Sequence, residues 1–116
     1  MRSLEKILEE YLDACKKNGE YLDKGDSKTA NKQFRILTKI RSDLISNEEY
    51  GLTKLLPYLE HSSEYVRLHT ATILLPITPS EAKNVLLELS SKRGNVGFTA
   101  KMTLAEWEKG NLKFDF

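Results

Sequence analysis

The chain has one cysteine, Cys15, so an internal disulfide framework is excluded and a reducing compartment is the natural expectation. No stretch approaches the roughly 18 consecutive apolar residues that a membrane span requires. The opening residues, MRSLEKILEEYLDACKK, carry acids inside their apolar pattern and lack the apolar h-region of a signal peptide. These absences predict a soluble, cytoplasmic protein with no membrane partner. Net charge is scarce too. Eighteen Lys and Arg against 17 Asp and Glu leave +1, so no global field draws in nucleic acid, and any charged partner must be read by a local patch.

Histidine is nearly absent. His61 and His69 are the only two, and neither a His-Glu-x-x-His nor a Cys-x-x-Cys accompanies them, so no metal site is expected. Gly94-Asn95-Val96-Gly97 is too short for a phosphate loop and follows a helical pattern rather than a strand, so it reads as a helix stop followed by a helix start. Cys15 continues the apolar stripe of Tyr11 and Leu12, which predicts a buried, inert thiol. Without a nucleophile–base pair or a metal cluster, the expectation is a non-enzymatic protein with no cofactor and no small-molecule substrate.

What is present is helical periodicity. The 116 residues, 40% hydrophobic and 30% charged, suit one globular domain over 1–116. Leu4, Ile7, Leu8, Tyr11, Leu12, Cys15, Tyr21 and Leu22 form the stripe of a first helix, which Asn18-Gly19 would fray or kink and Gly25 would end. Asp26 or Ser27 caps a second, with Ala30, Phe34, Leu37, Ile40 and Leu44 as its apolar face. Ser46 and Glu49 read as the capping box of a third helix reaching Leu59 or Glu60. His61-Ser62-Ser63 is a turn. The fourth helix, with Tyr65, Val66, Leu68, Ile73, Leu74 and Leu75, is apolar nearly all round and should lie between neighbours. Thr78-Pro79-Ser80-Glu81 starts a fifth with a threonine cap, and a sixth spans roughly 96–109, ending at Gly110. Val66 and Trp107 are expected in the core. The fold class is therefore all-α, about six helices.

Residues 47–77 and 79–109 read as two helical hairpins of similar length after a first at 4–46, with a tail at 111–116. A period of about thirty residues per hairpin is the mark of an α-solenoid. Pro57 would bend its helix to follow the stack, and Pro76 would end the next one.

The segment LLPYLEHSSEYVRLHTATILLPI resembles a HEAT repeat: Leu-Leu-Pro-x-Leu in one helix, a short polar turn, then Val-Arg opening the second. It departs from the pattern in carrying His61-Ser62-Ser63 where such repeats place an aspartate, which puts the usual Arg67–aspartate pairing in doubt. The second hairpin, lacking the proline and the Val-Arg, is a weaker match. More widely, GDSKTANKQF, LLPYLEHSSEYVRLHTATILLPITPSEA and FTAKMTLAEWEKGNL look like a small bacterial HEAT-like family catalogued only as a domain of unknown function. The resemblance implies a short right-handed α-solenoid of antiparallel helix pairs. It brings no established activity. Proteins of this kind are found among the suspected immunity partners of bacterial toxins, which implies a toxin domain as partner, bound and occluded.

Two surfaces are candidates for binding. Lys28, Lys32, Arg35 and Lys39, at i, i+4, i+7 and i+11, fall within roughly 60° of one another on a helix. They are either a solvated face or a strip for an acidic protein surface or a phosphate backbone; the near-zero net charge weighs against nucleic acid. Asn31, mid-helix, is either an interhelical hydrogen-bonding group or a polar anchor in a binding surface. On the sixth helix, Val96, Ala100, Leu104 and Trp107 form one apolar side, and Phe98, Met102 and Ala105 form another. That second side needs a cover, either the tail with Phe114 and Phe116 or a partner. His69 is read as a satisfied, part-buried histidine.

Overall fold

Ser3 starts the first helix as a side-chain cap: its hydroxyl accepts the Lys6 amide at 3.2 Å, and α1 runs Leu4–Asp23. The computed structural model describes residues 3–46 and 51–112. Gly25, at φ 78°, supplies the left-handed residue that ends α1. Asp26 then caps α2, Ser27–Ser46, accepting from the Thr29 amide at 3.1 Å and the Thr29 hydroxyl at 2.7 Å. Those two bonds hold its carboxyl below the usual carboxylate range.

By internal contacts the chain divides into two compact units, with the boundary between Lys54 and Leu55. In the first, α1 and α2 pack as a hairpin through Ile7, Tyr11, Ala14 and Cys15 on one side and Ala30, Leu37, Ile40 and Leu44 on the other. α1 is continuous through Asn18 and Gly19, and both are buried. The expected fray does not occur because the backbone of α2 supplies an acceptor across from Asn18: the Asn18 amide donates to the Ala30 carbonyl at 2.9 Å. Phe34, placed by periodicity in the core, is 52% exposed. On α2 it lies about 75° from the centre of the buried stripe, far enough round for it to sit at the edge.

Cys15 is fully buried, and desolvation pushes its thiol up to about 12 against the opposing pull of a Tyr11 hydrogen bond and the Lys16 charge. About one thiol in ten thousand is then ionised at pH 8. Cys15 should therefore resist a disulfide reagent in the native protein and react only as fast as the protein unfolds. Rapid labelling at pH 8 without denaturant would contradict that burial.

The third element is not the expected α-helix. Ser46 is the last residue of α2, where its hydroxyl donates to the Asp43 carbonyl at 3.3 Å, and Glu49 lies outside the described residues. Leu52–Glu60 forms a 3-10 helix of 9 residues, long for its kind. Pro57 explains the difference. It lacks an N–H, and its ring crowds the carbonyl four residues back, where α-helical bonding is decided.

In the second unit α3 (Glu64–Leu74), α4 (Pro79–Ser90) and α5 (Gly94–Glu108) pack on one another. Val66, Leu68, Thr70, Ala71, Ile73 and Leu74 are all buried, so α3 is enclosed on nearly every side, as its composition predicts. Ser63 caps α3, accepting from the Val66 amide at 3.4 Å. α3 ends two residues before Pro76. α4 begins at Pro79 as expected, but the Thr78 side chain makes no capping bond. α5 begins at Gly94, two residues earlier than its apolar pattern suggests. The described residues are all-α, with no strand. Val66 belongs to the core; Trp107 is only half-buried. It stands at the last turn of α5, where fewer neighbours surround a side chain.

Arg67 satisfies the turn without an aspartate. Its Nη1 donates to the carbonyls of His61, at 2.7 Å, and Ser62, at 3.2 Å, and its Nη2 lies 3.8 Å from Glu88 on α4. Backbone acceptors thus take the place of the aspartate that the turn lacks, as the doubt over the pairing implied, and the guanidinium ties the turn to α4.

Candidate protein-binding surface on α2

The four cations fall where helical geometry puts them. Lys28, Lys32, Arg35 and Lys39 are all exposed, on the side of α2 opposite Ala30, Leu37, Ile40 and Leu44. They span about 16 Å along the helix axis. Among the described residues none of the four takes part in an ion pair, whereas Lys17 pairs with Asp13 at 3.0 Å and Lys24 with Glu20 at 2.9 Å, on α1 and at its end. Like charges at i+3 and i+4 destabilise a helix by a few tenths of a kcal/mol per pair, and three such pairs run along this ridge.

Asn31 lies on the flank of the ridge, exposed, and makes no interhelical hydrogen bond among the described residues. The bond expected of it is made instead by Asn18. Beyond Asn31, on the same side of α2, are Phe34 and Ile45, the latter 40% exposed. The ridge therefore has an apolar margin.

On its other side the ridge borders a groove between the two helices, about 320 Å³ in volume. Ala14, Ile36 and Ile40 contribute apolar surface, Gln33 an amide, and Lys39 one edge; Glu10 and Asp13 of α1 form the opposite wall. Sequence periodicity missed this groove because it belongs to neither helix alone. The available hint was Ile36, an isoleucine standing outside the apolar stripe of α2 and 37% exposed.

On α5, Phe98 and Met102 are 65% and 48% exposed, while Val96, Ala100 and Leu104 of the other side are buried. The tail proposed as their cover lies, from residue 113 onward, outside the described residues. A second groove, about 420 Å³, lies within the second unit between Leu56, Leu59 and Glu60 of the 3-10 helix and Glu81, Asn84 and Val85 of α4. His69 is half-buried in α3, and desolvation brings its pKa down to about 4, so the imidazole is neutral at physiological pH. Among the described residues no three His, Cys, Asp or Glu side chains are grouped to hold a metal ion, and no helix is long and apolar enough to cross a membrane.

Described residues that are all-helical, with an exposed cationic ridge unpaired among them, are the class that fold and surface define. The chain belongs to the family described as Domain of unknown function (DUF2019), which matches residues 5–108. Its structure is similar to the crystal structure of the protein RPA1889 from Rhodopseudomonas palustris CGA009, with a TM-score of 0.88, 21% identity, and coverage of 99% of this chain and 96% of that one. At that identity the likeness carries the fold alone. No curated protein matches the chain.

Proposed function

We propose that this protein is a non-enzymatic, HEAT-like binding module that takes an acidic protein surface on the ridge of α2. One observation carries the reading: four exposed cations aligned over about 16 Å, none of them paired among the described residues. A solvated helix face gains from mixed signs, since opposite charges at i+4 support the helix and like charges weaken it. This ridge forgoes that gain along three turns. An acidic partner would supply the missing charges. The apolar margin of Phe34 and Ile45 favours a protein over a phosphate backbone, because protein interfaces combine an apolar centre with a charged rim. The suspected link of similar small proteins to toxin immunity narrows the proposed partner to a toxin domain, whose surface this module would cover.

The test is binding to the product of the adjacent gene by wild type and by the variant Lys28→Gln, Lys32→Gln, Arg35→Gln, Lys39→Gln. Folding stability should change by less than about 1 kcal/mol, since glutamine suits exposed helix positions and repulsion is relieved. Association should slow about tenfold at low salt while dissociation changes little. If the same variant instead loses affinity for any duplex DNA, with the slope of log K against log salt falling by roughly three to four, the ridge grips phosphates and the protein is a nucleic-acid binder. Unchanged binding to both would return the ridge to a plain solvated face.

A further inference from the structure

We infer that the groove beside Lys39 receives an apolar anchor from the partner, so that the segment bound on α2 is an amphipathic acidic helix rather than a diffuse acidic surface. The inference rests on the reading of α2 as a protein-binding face and specifies what that face selects.

The groove and the ridge are one continuous surface. Ile36 lies on α2 about 60° round from Lys39, and Lys39 is both the last cation of the ridge and an edge of the groove. Ala14 and Ile40 are buried beneath it, and Ile36 offers accessible apolar surface. A volume of about 320 Å³ admits a side chain of leucine or phenylalanine size but is too small for a folded element. The two walls differ in charge. Lys39 is unpaired among the described residues, whereas the far wall carries Glu10 and Asp13, and Asp13 is already bonded to Lys17.

That asymmetry dictates an orientation. A carboxylate is drawn to Lys39, which is in no ion pair among the described residues, and meets no cation among the residues lining the α1 wall. An uncharged apolar side chain buries against Ile36. The fitting ligand therefore presents acids in a row that matches the cations and, to one side of the row, a single apolar residue about level with Lys39. A helix of α-periodicity does both at once, since its own i, i+4, i+7 positions form a row of the same pitch as the ridge. The cations then divide by role. Lys28, about two turns from Ile36 and outside the groove's lining, attracts any acidic segment. Lys39 acts together with the anchor, because a carboxylate bound to it fixes the depth at which the apolar side chain enters.

The test uses the full chain, ¹⁵N-labelled, titrated with two acetylated 14-residue helical peptides of glutamate and alanine with their glutamates on one face. One carries a leucine beside that face and the other an alanine in its place. The leucine peptide should bind about tenfold more tightly, and the amide signals of Ala14, Gln33 and Ile36 should move with it alone. Ile36→Asp should make the two peptides equal. Ile36→Gln serves the same purpose should the aspartate disturb the helical circular dichroism. Lys39→Gln should reduce the leucine preference, whereas Lys28→Gln should weaken both peptides alike. Equal affinities with no movement at Ala14 would overturn the anchor while leaving the ridge as an acid-binding face. No saturable shift on α2 with either peptide would overturn both.

Discussion

Gly97→Ala should destabilise the protein by about 2–3 kcal/mol, although alanine is the better helix former by about 1 kcal/mol. Gly97 is a helical residue, buried near the start of α5, with no need of a left-handed backbone. Its constraint is space. A Cβ built there would stand 1.8 Å from the Lys92 carbonyl oxygen and 2.8 Å from the Lys92 carbonyl carbon. Both are backbone atoms of the turn joining α4 to α5, so relief requires moving the turn, and with it the packing of two helices whose buried residues include Leu86, Leu89, Val96 and Ala100. A melting temperature lower by about 10 °C would follow. Gly94→Ala is the informative comparison. Gly94 sits at φ 80° with nothing within 4 Å of a Cβ, so only the left-handed backbone opposes alanine there, at about 1–2 kcal/mol. Thermal melts of the two variants should rank them in that order. A Gly97→Ala protein as stable as wild type would show that the turn yields freely.

The second large effect is acid destabilisation through His69. Its folded pKa is about 4, because burial in α3 penalises the charged imidazole, while the unfolded chain titrates near 6.5. Above pH 6.5 both states are neutral and His69 contributes no pH dependence. Between 6.5 and 4 only the unfolded chain binds the proton, so stability falls as pH falls, by up to about 3 kcal/mol across the window. Below pH 4 both states are protonated and the contribution is flat again. Asp26 acts in the same direction but lower, in the carboxylate range, because its Thr29 hydrogen bonds favour the ionised form. Urea denaturation at pH 7, 6, 5 and 4.5 should show the loss in wild type and a nearly level profile in His69→Gln. An equal slope in both would assign the acid sensitivity elsewhere.

The helices themselves were largely legible in the sequence, because local chemistry decides their ends. Asp26 at the start of α2, Pro79 at the start of α4 and Gly25 after α1 each act within three or four residues. The buried face of α3 was legible for a similar reason: a helix apolar all round has no exposed side to choose. What failed were inferences that depend on a neighbour. Phe34 fits the periodic stripe but sits at its margin, and only the position of α1 decides that the margin is open. Trp107 suits a core by size, yet it stands in the final turn of its helix and is half-covered. The segment around Pro57 matches an α-helical stripe as well as a 3-10 one, since leucines at three- and four-residue spacings serve both. The cationic ridge was readable from spacing alone. Its lack of pairing partners among the described residues and the adjoining groove were not, because both depend on which side chains α1 brings alongside.

Asn18 has a consequence for uniqueness that its energy understates. The apolar contacts of Ile7, Tyr11, Ala14 and Cys15 with Ala30, Leu37, Ile40 and Leu44 are non-directional, so apolar burial separates the observed alignment from one slid along by a helical turn, about 5.4 Å, less sharply than a hydrogen bond does. Such a slide would carry the Asn18 amide away from the Ala30 carbonyl, 2.9 Å distant in the native hairpin, yet leave it dehydrated between the helices. A stranded amide costs about 1–3 kcal/mol, enough to depopulate the slipped form five- to a hundredfold. One polar side chain thereby sets the registry in which Ile36 and Lys39 stand opposite Glu10 and Asp13. A leucine at position 18 would keep the hairpin and surrender the alignment, leaving the mouth of the groove to wander among several shapes.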